Sequence, residues 1–151
     1  GFDPDDHCYI VDHMRAADKI EAKALLGEHM ADYLLAVGQQ DSAFKGIWRH
    51  DGKPCIFFSV NYWFGGRNSF GTMYATDDFR ECGAKFRRWT RTNGIDLLRD
   101  LGITRVEVRA MEHNVPWIIS LGGKVECELS RFGIKGETFY QCALEIHQHR
   151  N

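Results

Sequence analysis

The stretch of the chain richest in chemistry is "ATDDFRECGAKFRRW", residues 75–89. A β-like run ends in Asp77 and Asp78. Small residues, Cys82, Gly83 and Ala84, then follow among Arg80, Glu81 and Lys85 at the start of a helical pattern. A helix start gathers unpaired N–H groups and positive dipole, so the segment reads as a cradle for a phosphate. The two aspartates oppose an anion there. A Cys82 thiolate beside Arg80, Lys85 and a helix start would be an activated nucleophile; the plainer reading is an unreactive small residue. The basic and aromatic run "KFRRWTR", 85–91, could grip nucleic acid through phosphates and stacking. At helical spacing, however, Phe86 and Trp89 share one face and Lys85, Arg88 and Thr92 another, which is expected of an amphipathic helix with a solvated basic side. Tyr62, Trp63 and Phe64 cannot all face one side of a sheet, so one of them is expected to face outward, as a partner surface or substrate wall.

Metal chemistry is not expected. The five cysteines contain no CxxC pair, and the seven histidines, "HQH" at 147–149 included, lack the spacing of a zinc site. The cysteines read as reduced core thiols of an intracellular protein. The chain has 151 residues, 44% hydrophobic and 26% charged, with a formal net charge of -2. These values suit one globular domain and supply no overall basic field for nucleic acid. No apolar run approaches the roughly 20 residues that span a bilayer, so no membrane association is expected. The acidic start "GFDPDDHCYI" lacks the pattern of a secretion leader, and the terminal "HQHRN" reads as a frayed tail.

The elements that must position these residues follow from periodicity. "HCYIVDHM" reads as a first strand. Residues 16–38 read as helical, with Ile20, Ala24, Leu25, Met30, Tyr33, Leu34 and Val37 as the buried spacing, split at Gly27 and stopped at Gly38. Two strands then flank the "DG" at Asp51–Gly52, a hairpin signal, and "GGRN" turns the chain into the strand "SFGTMYAT". Residues 79–102 form a long helix with Phe86, Trp89, Leu97, Leu98 and Leu101 as candidate buried positions and a break or kink at Asn93–Gly94. "TRVEVRAM" alternates as a strand. "NVPWIISLGG" is a short helix with Pro116 in its first turn, and two last strands turn at "KG", 135–136. The order is β-α-α-β-β-β-α-β-α-β-β: an α+β (α/β) fold with a mixed central sheet of about seven strands and helices on both faces.

That order resembles the GNAT superfamily of N-acetyltransferases over nearly the whole chain. Two stretches carry the resemblance. In "RECGAK", Arg80, Gly83 and Ala84 fall in register with the superfamily's Q/R-x-x-G-x-G/A loop, which binds the pyrophosphate of acetyl-CoA; Lys85 stands where the last small residue is expected. In "HNVPWIISLGGKVE", Asn114 and Ser120–Leu121–Gly122 match the segment after the following strand; Ile118 stands where a tyrosine acid is expected. Within the superfamily, the chain looks most like the small GNAT-like internal virion proteins of short-tailed bacteriophages.

The resemblance implies a cofactor, acetyl-CoA, held by Met73, Tyr74, Ala75, Arg80, Glu81, Cys82, Gly83, Ala84, Lys85 and Asn114, in a slot made by a splay between residues 69–76 and 104–111. Strand N–H groups of Met73, Tyr74 and Ala75 would polarise the thioester carbonyl. Glu107, Glu112 or His113 would supply a base, and Tyr74 would replace the missing acid; the plainer readings are exposed strand or loop residues and a packed tyrosine. Two functions stay open. One is a phage protein made in the infected cell's cytoplasm, retaining the fold with a degenerate cofactor loop and binding other virion proteins or a host protein. The other is an active N-acetyltransferase acting on a protein or small-molecule amine.

Overall fold

A computed structural model describes residues 1–63 and 67–148. The expected turn residues Gly65 and Gly66, the aromatic Phe64 and the end of the "HQHRN" tail lie outside the described residues. The chain opens with helix α1 (Pro4–Asp12), where a strand was expected. The cause is local. Asp3 caps the helix, its carboxylate accepting from the Asp5 amide at 2.8 Å, Pro4 sits in the first turn, and Asp5 and Asp6 favour the positive end. His7, Ile10, Val11 and Met14 then recur at helical spacing and are all buried.

Helices α2 (Ala16–Leu26) and α3 (Met30–Gln39) follow, parted at Gly27, whose φ of 78° suits glycine. Gly38 does not stop α3; it is buried one residue before the helix ends, where a Cβ would lie 2.2 Å from the His7 ring. It is a contact residue between α1 and α3. Ala24 and Leu34 are buried as expected, whereas Ile20 and Tyr33 are both 57% exposed and Leu25 is also exposed. The buried side of α2 is lined instead by Asp18 and Ala24.

Strands β1 (Phe44–His50) and β2 (Lys53–Tyr62) form the expected hairpin, with Asp51 and Gly52 both at positive φ. β3 (Asn68–Ala75) pairs antiparallel with β2. Helix α4 (Phe79–Trp89) runs through a π-helical segment, Thr90–Gly94, into α5 (Ile95–Asp100), so the expected break is an over-wide turn within one continuous helix. Phe86 and Leu98 are buried; Leu97 and Leu101 are exposed, because the π segment rotates the face that α5 presents. Next come β4 (Arg105–Ala110), the short α6 (Val115–Ser120), β5 (Lys124–Leu129) and β6 (Phe139–Glu145). Gly136 lies at positive φ within the longer connection between β5 and β6.

Among the described residues the sheet has six strands, in the order β1-β2-β3-β4-β6-β5. The expected seventh is α1. All neighbours are antiparallel except β3 and β4, which the α4–α5 crossover makes parallel. Helices lie on both faces: α1 and α3 pack with Phe57 and Tyr74, while α4, α5 and α6 pack with Phe86, Leu98, Val106 and Ile118.

Candidate functional site

β3 and β4 pair only at their beginnings, Asn68↔Arg105, Ser69↔Val106 and Phe70↔Glu107. Beyond these the strands part while each keeps its outer partner, β2 or β6. A cavity of about 390 Å³ passes through the gap. Gly71 stands at the fork, where a Cβ would come within 3.1 Å of Val106 Cγ1. On one side the cavity is lined by Leu25, Leu26, Leu34, Trp63, Phe70 and Phe132, and on the other by Phe44, Phe58, Val60, Phe86, Trp89 and Leu98.

Parting two strands strands their facing N–H and C=O groups. On the α2 side, side chains replace the lost backbone partners. The Ala75 amide donates to Asp18 Oδ2 at 2.9 Å, and the Arg15 amide donates to the Ala75 carbonyl at 2.8 Å. Across the gap, the Met111 amide and Asn114 Nδ2 both donate to Glu21 Oε2 at 2.8 Å. Arg15 joins the two halves, donating from Nε to Asp18 Oδ2 at 2.8 Å and from Nη2 to Asn114 Oδ1 at 3.3 Å. Burial pushes the Glu21 carboxyl above the usual glutamate value, against the pull of its two donors. Arg15, Asp18 and Glu21 were not singled out from sequence. The available signal was a pair of carboxylates three residues apart on α2, placed with Ala24 on its inner side.

On the α4 side, aromatic rings fill the space. Trp117 of α6 meets Phe79 edge-on, with centroids 4.7 Å apart, and stacks on Phe86 at 6.4 Å. The Arg15 guanidinium covers the outer face of Phe79 at 4.3 Å.

The structure places the expected cofactor residues as follows. "RECGAK" is not a loop before a helix but the first turns of α4 itself. Arg80, Glu81, Ala84 and Lys85 are exposed, with the Glu81 carboxylate pairing with His50 Nε2 at 2.8 Å. Cys82 and Gly83 face inward. The amides that would hold a pyrophosphate already donate to carbonyls of the preceding turn: Phe79 to Thr76 at 3.0 Å, Glu81 to Asp78 at 2.9 Å and Cys82 to Asp78 at 3.2 Å. The Phe79 ring lies on Gly83, 3.2 Å from where a Cβ would be. These residues do not fit the pyrophosphate of coenzyme A, which needs open amides and close approach to the backbone. Burial pushes the Cys82 thiol up, away from an activated thiolate and against the pull of its contact with Cys55.

Of the three strand amides, Ala75's is taken by Asp18. The Thr76 amide points to Cys55 of β2, so by alternation Tyr74's also points to β2 and Met73's faces the gap. The Tyr74 side chain turns to the α1–α3 side, where its hydroxyl bonds His7 Nε2 and donates to the Leu34 carbonyl at 3.4 Å; burial pushes its pKa up. Glu107 lines the cavity at the last paired position, but both its oxygens are engaged, by Trp63 Nε1 at 3.0 Å and Arg105 Nε at 2.9 Å. Glu112 is exposed, and the exposed His113 contacts the Ala17 carbonyl at 3.0 Å. Asn114 lines the cavity within the Arg15–Glu21 cluster. Ile118 is buried. Of the described members of the aromatic run, Tyr62 is exposed and Trp63 packs on Phe70 at 4.4 Å. Among the described residues, no group of His, Cys, Asp and Glu is placed to hold a metal ion, and no helix is long and apolar enough to cross a membrane.

No protein-family profile matches the chain, and no curated protein sequence matches it. Solved structures do. The ribosomal-protein-S18-alanine N-acetyltransferase of Escherichia coli superposes with a TM-score of 0.69 at 15% identity, over 99% of this chain and 91% of its own. Ard1 of Thermoplasma volcanium gives 0.70 at 13% identity over 97% and 95%. An acetyltransferase of the GNAT family from Streptococcus pneumoniae gives 0.64 at 14% identity over 97% and 96%. At such identities the likeness speaks for architecture alone. The chain has the GNAT acetyltransferase fold.

Proposed function

We propose that this is a GNAT-fold protein whose acetyl-CoA loop is closed, with weak or no acetyltransferase activity, acting as a virion-associated or host-interaction protein of a short-tailed phage. One observation carries the loss of cofactor binding: α4 begins at Phe79, with its first amides bonded to the preceding turn and the Phe79 ring seated on Gly83. The phage setting rests on the resemblance of residues 74–89, the apolar-rich helix and residues 116–123 to the internal virion proteins. A second reading, an acetyl-CoA-dependent N-acetyltransferase acting on an amine, is favoured by the parted strands with Met73's amide and Glu107 beside them.

Calorimetry separates the two. Titration with acetyl-CoA to millimolar concentration is expected to give no saturable heat, and Phe79→Ala, which uncovers Gly83, is expected to gain measurable binding. Micromolar binding by the unaltered chain, abolished by Gly83→Asp, reverses the order of the readings. Mass spectrometry of purified virions is expected to find the chain; its absence there removes the virion role.

A further inference from the structure

The outer side of α4, turned away from the sheet, carries a run of free positive charge. Arg80, Lys85, Arg87, Arg88 and Arg91 are all exposed. Among the described residues none of them forms an ion pair, whereas Arg15, Arg49 and Arg105 are each held by a carboxylate. The acidic side chain within the run, Glu81, is engaged by His50 at 2.8 Å. Asp77, Asp78 and Asp96 lie beyond its two ends. On the opposite face of the sheet, α1 and its cap expose Asp3, Asp5 and Asp12. The formal net charge of -2 therefore hides a separation of charge across the molecule. At helical spacing Arg88 and Arg91 point away from the buried Cys82, Gly83 and Phe86, with Arg80 and Arg87 on one flank and Lys85 on the other. The rings of the same run are already used: Phe86 and Trp89 pack on Trp48 and Phe58.

We propose that this face of α4 binds the phosphate backbone of double-stranded DNA without reading its sequence. Charge complementarity carries the inference: long cations with no carboxylate partner of their own meet a polymer that presents one negative charge per about 1.7 Å. From Arg80 to Arg91 the face runs roughly 16 Å along the helix axis, enough to meet several phosphates. A single strand is disfavoured, because sites for single strands add aromatic rings on which bases stack, and here the rings are turned inward. A B-form duplex is favoured over an RNA duplex. Its major groove, about 12 Å wide, admits a helix, so that the two flanks of cations reach phosphates on the two rims; the deep, narrow groove of the A form does not.

The inference does not depend on whether acetyl-CoA binds, and its readout is separate from the calorimetry above. The probe is a fluorescent 20-base-pair DNA duplex of mixed sequence, titrated with the full chain and followed by anisotropy at several salt concentrations. Binding in the micromolar range is expected, with log K falling against log salt at a slope of about -3 to -4, the value for roughly four neutralised phosphates. Arg88→Gln and Arg91→Gln, both exposed and so harmless to the core, are each expected to weaken binding and to lower the slope by about one. Lys135→Gln, exposed on the connection between β5 and β6, is expected to leave the slope unchanged; an equal loss there shows diffuse attraction and overturns the assigned face. No binding at low salt, or an affinity unchanged by both arginine substitutions, also overturns it. So does equal or tighter binding to an RNA duplex, to the single strand or to phosphatidylserine vesicles.

Discussion

The two sides of the parted strands are closed by different chemistry. On the α2 side, Asp18 and Glu21 take the amides of Ala75 and Met111 that strand pairing would otherwise use, and Arg15 ties the halves together. On the α4 side, Phe79, Phe86 and Trp117 fill space but satisfy no backbone group. The difference shows what a splay in a sheet demands. Unpaired amides are met by acceptors of fixed geometry, which lock the strands at a set distance. Aromatic rings only exclude water, so on that side Trp117 Nε1 and Thr90 Oγ1 stay without a hydrogen-bond partner among the described residues. The fork is held by hydrogen bonds on one side and only packed by rings on the other.

The comparison can be broken at the clamp. Asp18→Ala is expected to have the largest effect, a loss of about 3 kcal/mol, because it orphans a buried amide and leaves the partly buried Arg15 without its carboxylate. Urea denaturation measures it; a loss below about 1 kcal/mol, the scale of a surface pair, would mean that the clamp does not hold the fork. Glu21→Gln sharpens the picture through pH. Burial raises the Glu21 pKa in the folded state above its ordinary 4.5, so the carboxyl's contribution is complete below that value and is lost as pH rises through the folded pKa. The glutamine variant keeps an acceptor without the charge. It is expected to melt above the unaltered protein at neutral pH, with the gap fading as pH falls toward 4.5; a difference independent of pH would show that the buried charge is not what the substitution removes. The smallest effect is expected at Ile20→Ala, on the outer side of the same helix. Ile20 is 57% exposed, and its loss should stay within about 0.5 kcal/mol in the same denaturation assay.

Much of the frame was readable locally. The Asp51–Gly52 hairpin, the parting at Gly27, the inward Phe86 and the outward Lys85 and Arg88 each follow from signals within a few residues. α1 carried such a signal too, in Asp3–Pro4–Asp5–Asp6, but the short apolar run behind it also suited a strand. The inward side of α2 was less legible: Ile20 looks like a core residue by type, and Asp18 looks like surface. Only packing against the fork reverses them, because acceptors there gain two stranded amides and an isoleucine would gain none. At residues 79–85 the Arg80–Gly83 spacing was visible, yet whether the amides stay open depends on where α4 starts and on which ring lies over Gly83.

By itself the sequence determined the order of most elements and therefore the crossover that sets β3 beside β4, since capping, turn and periodicity signals are short-range. The tertiary structure alone decided where the strands separate, which carboxylates bridge them and which rings shut the far side. Those choices depend on distances between segments about ninety residues apart, such as Glu21 and Met111, and no local pattern records them.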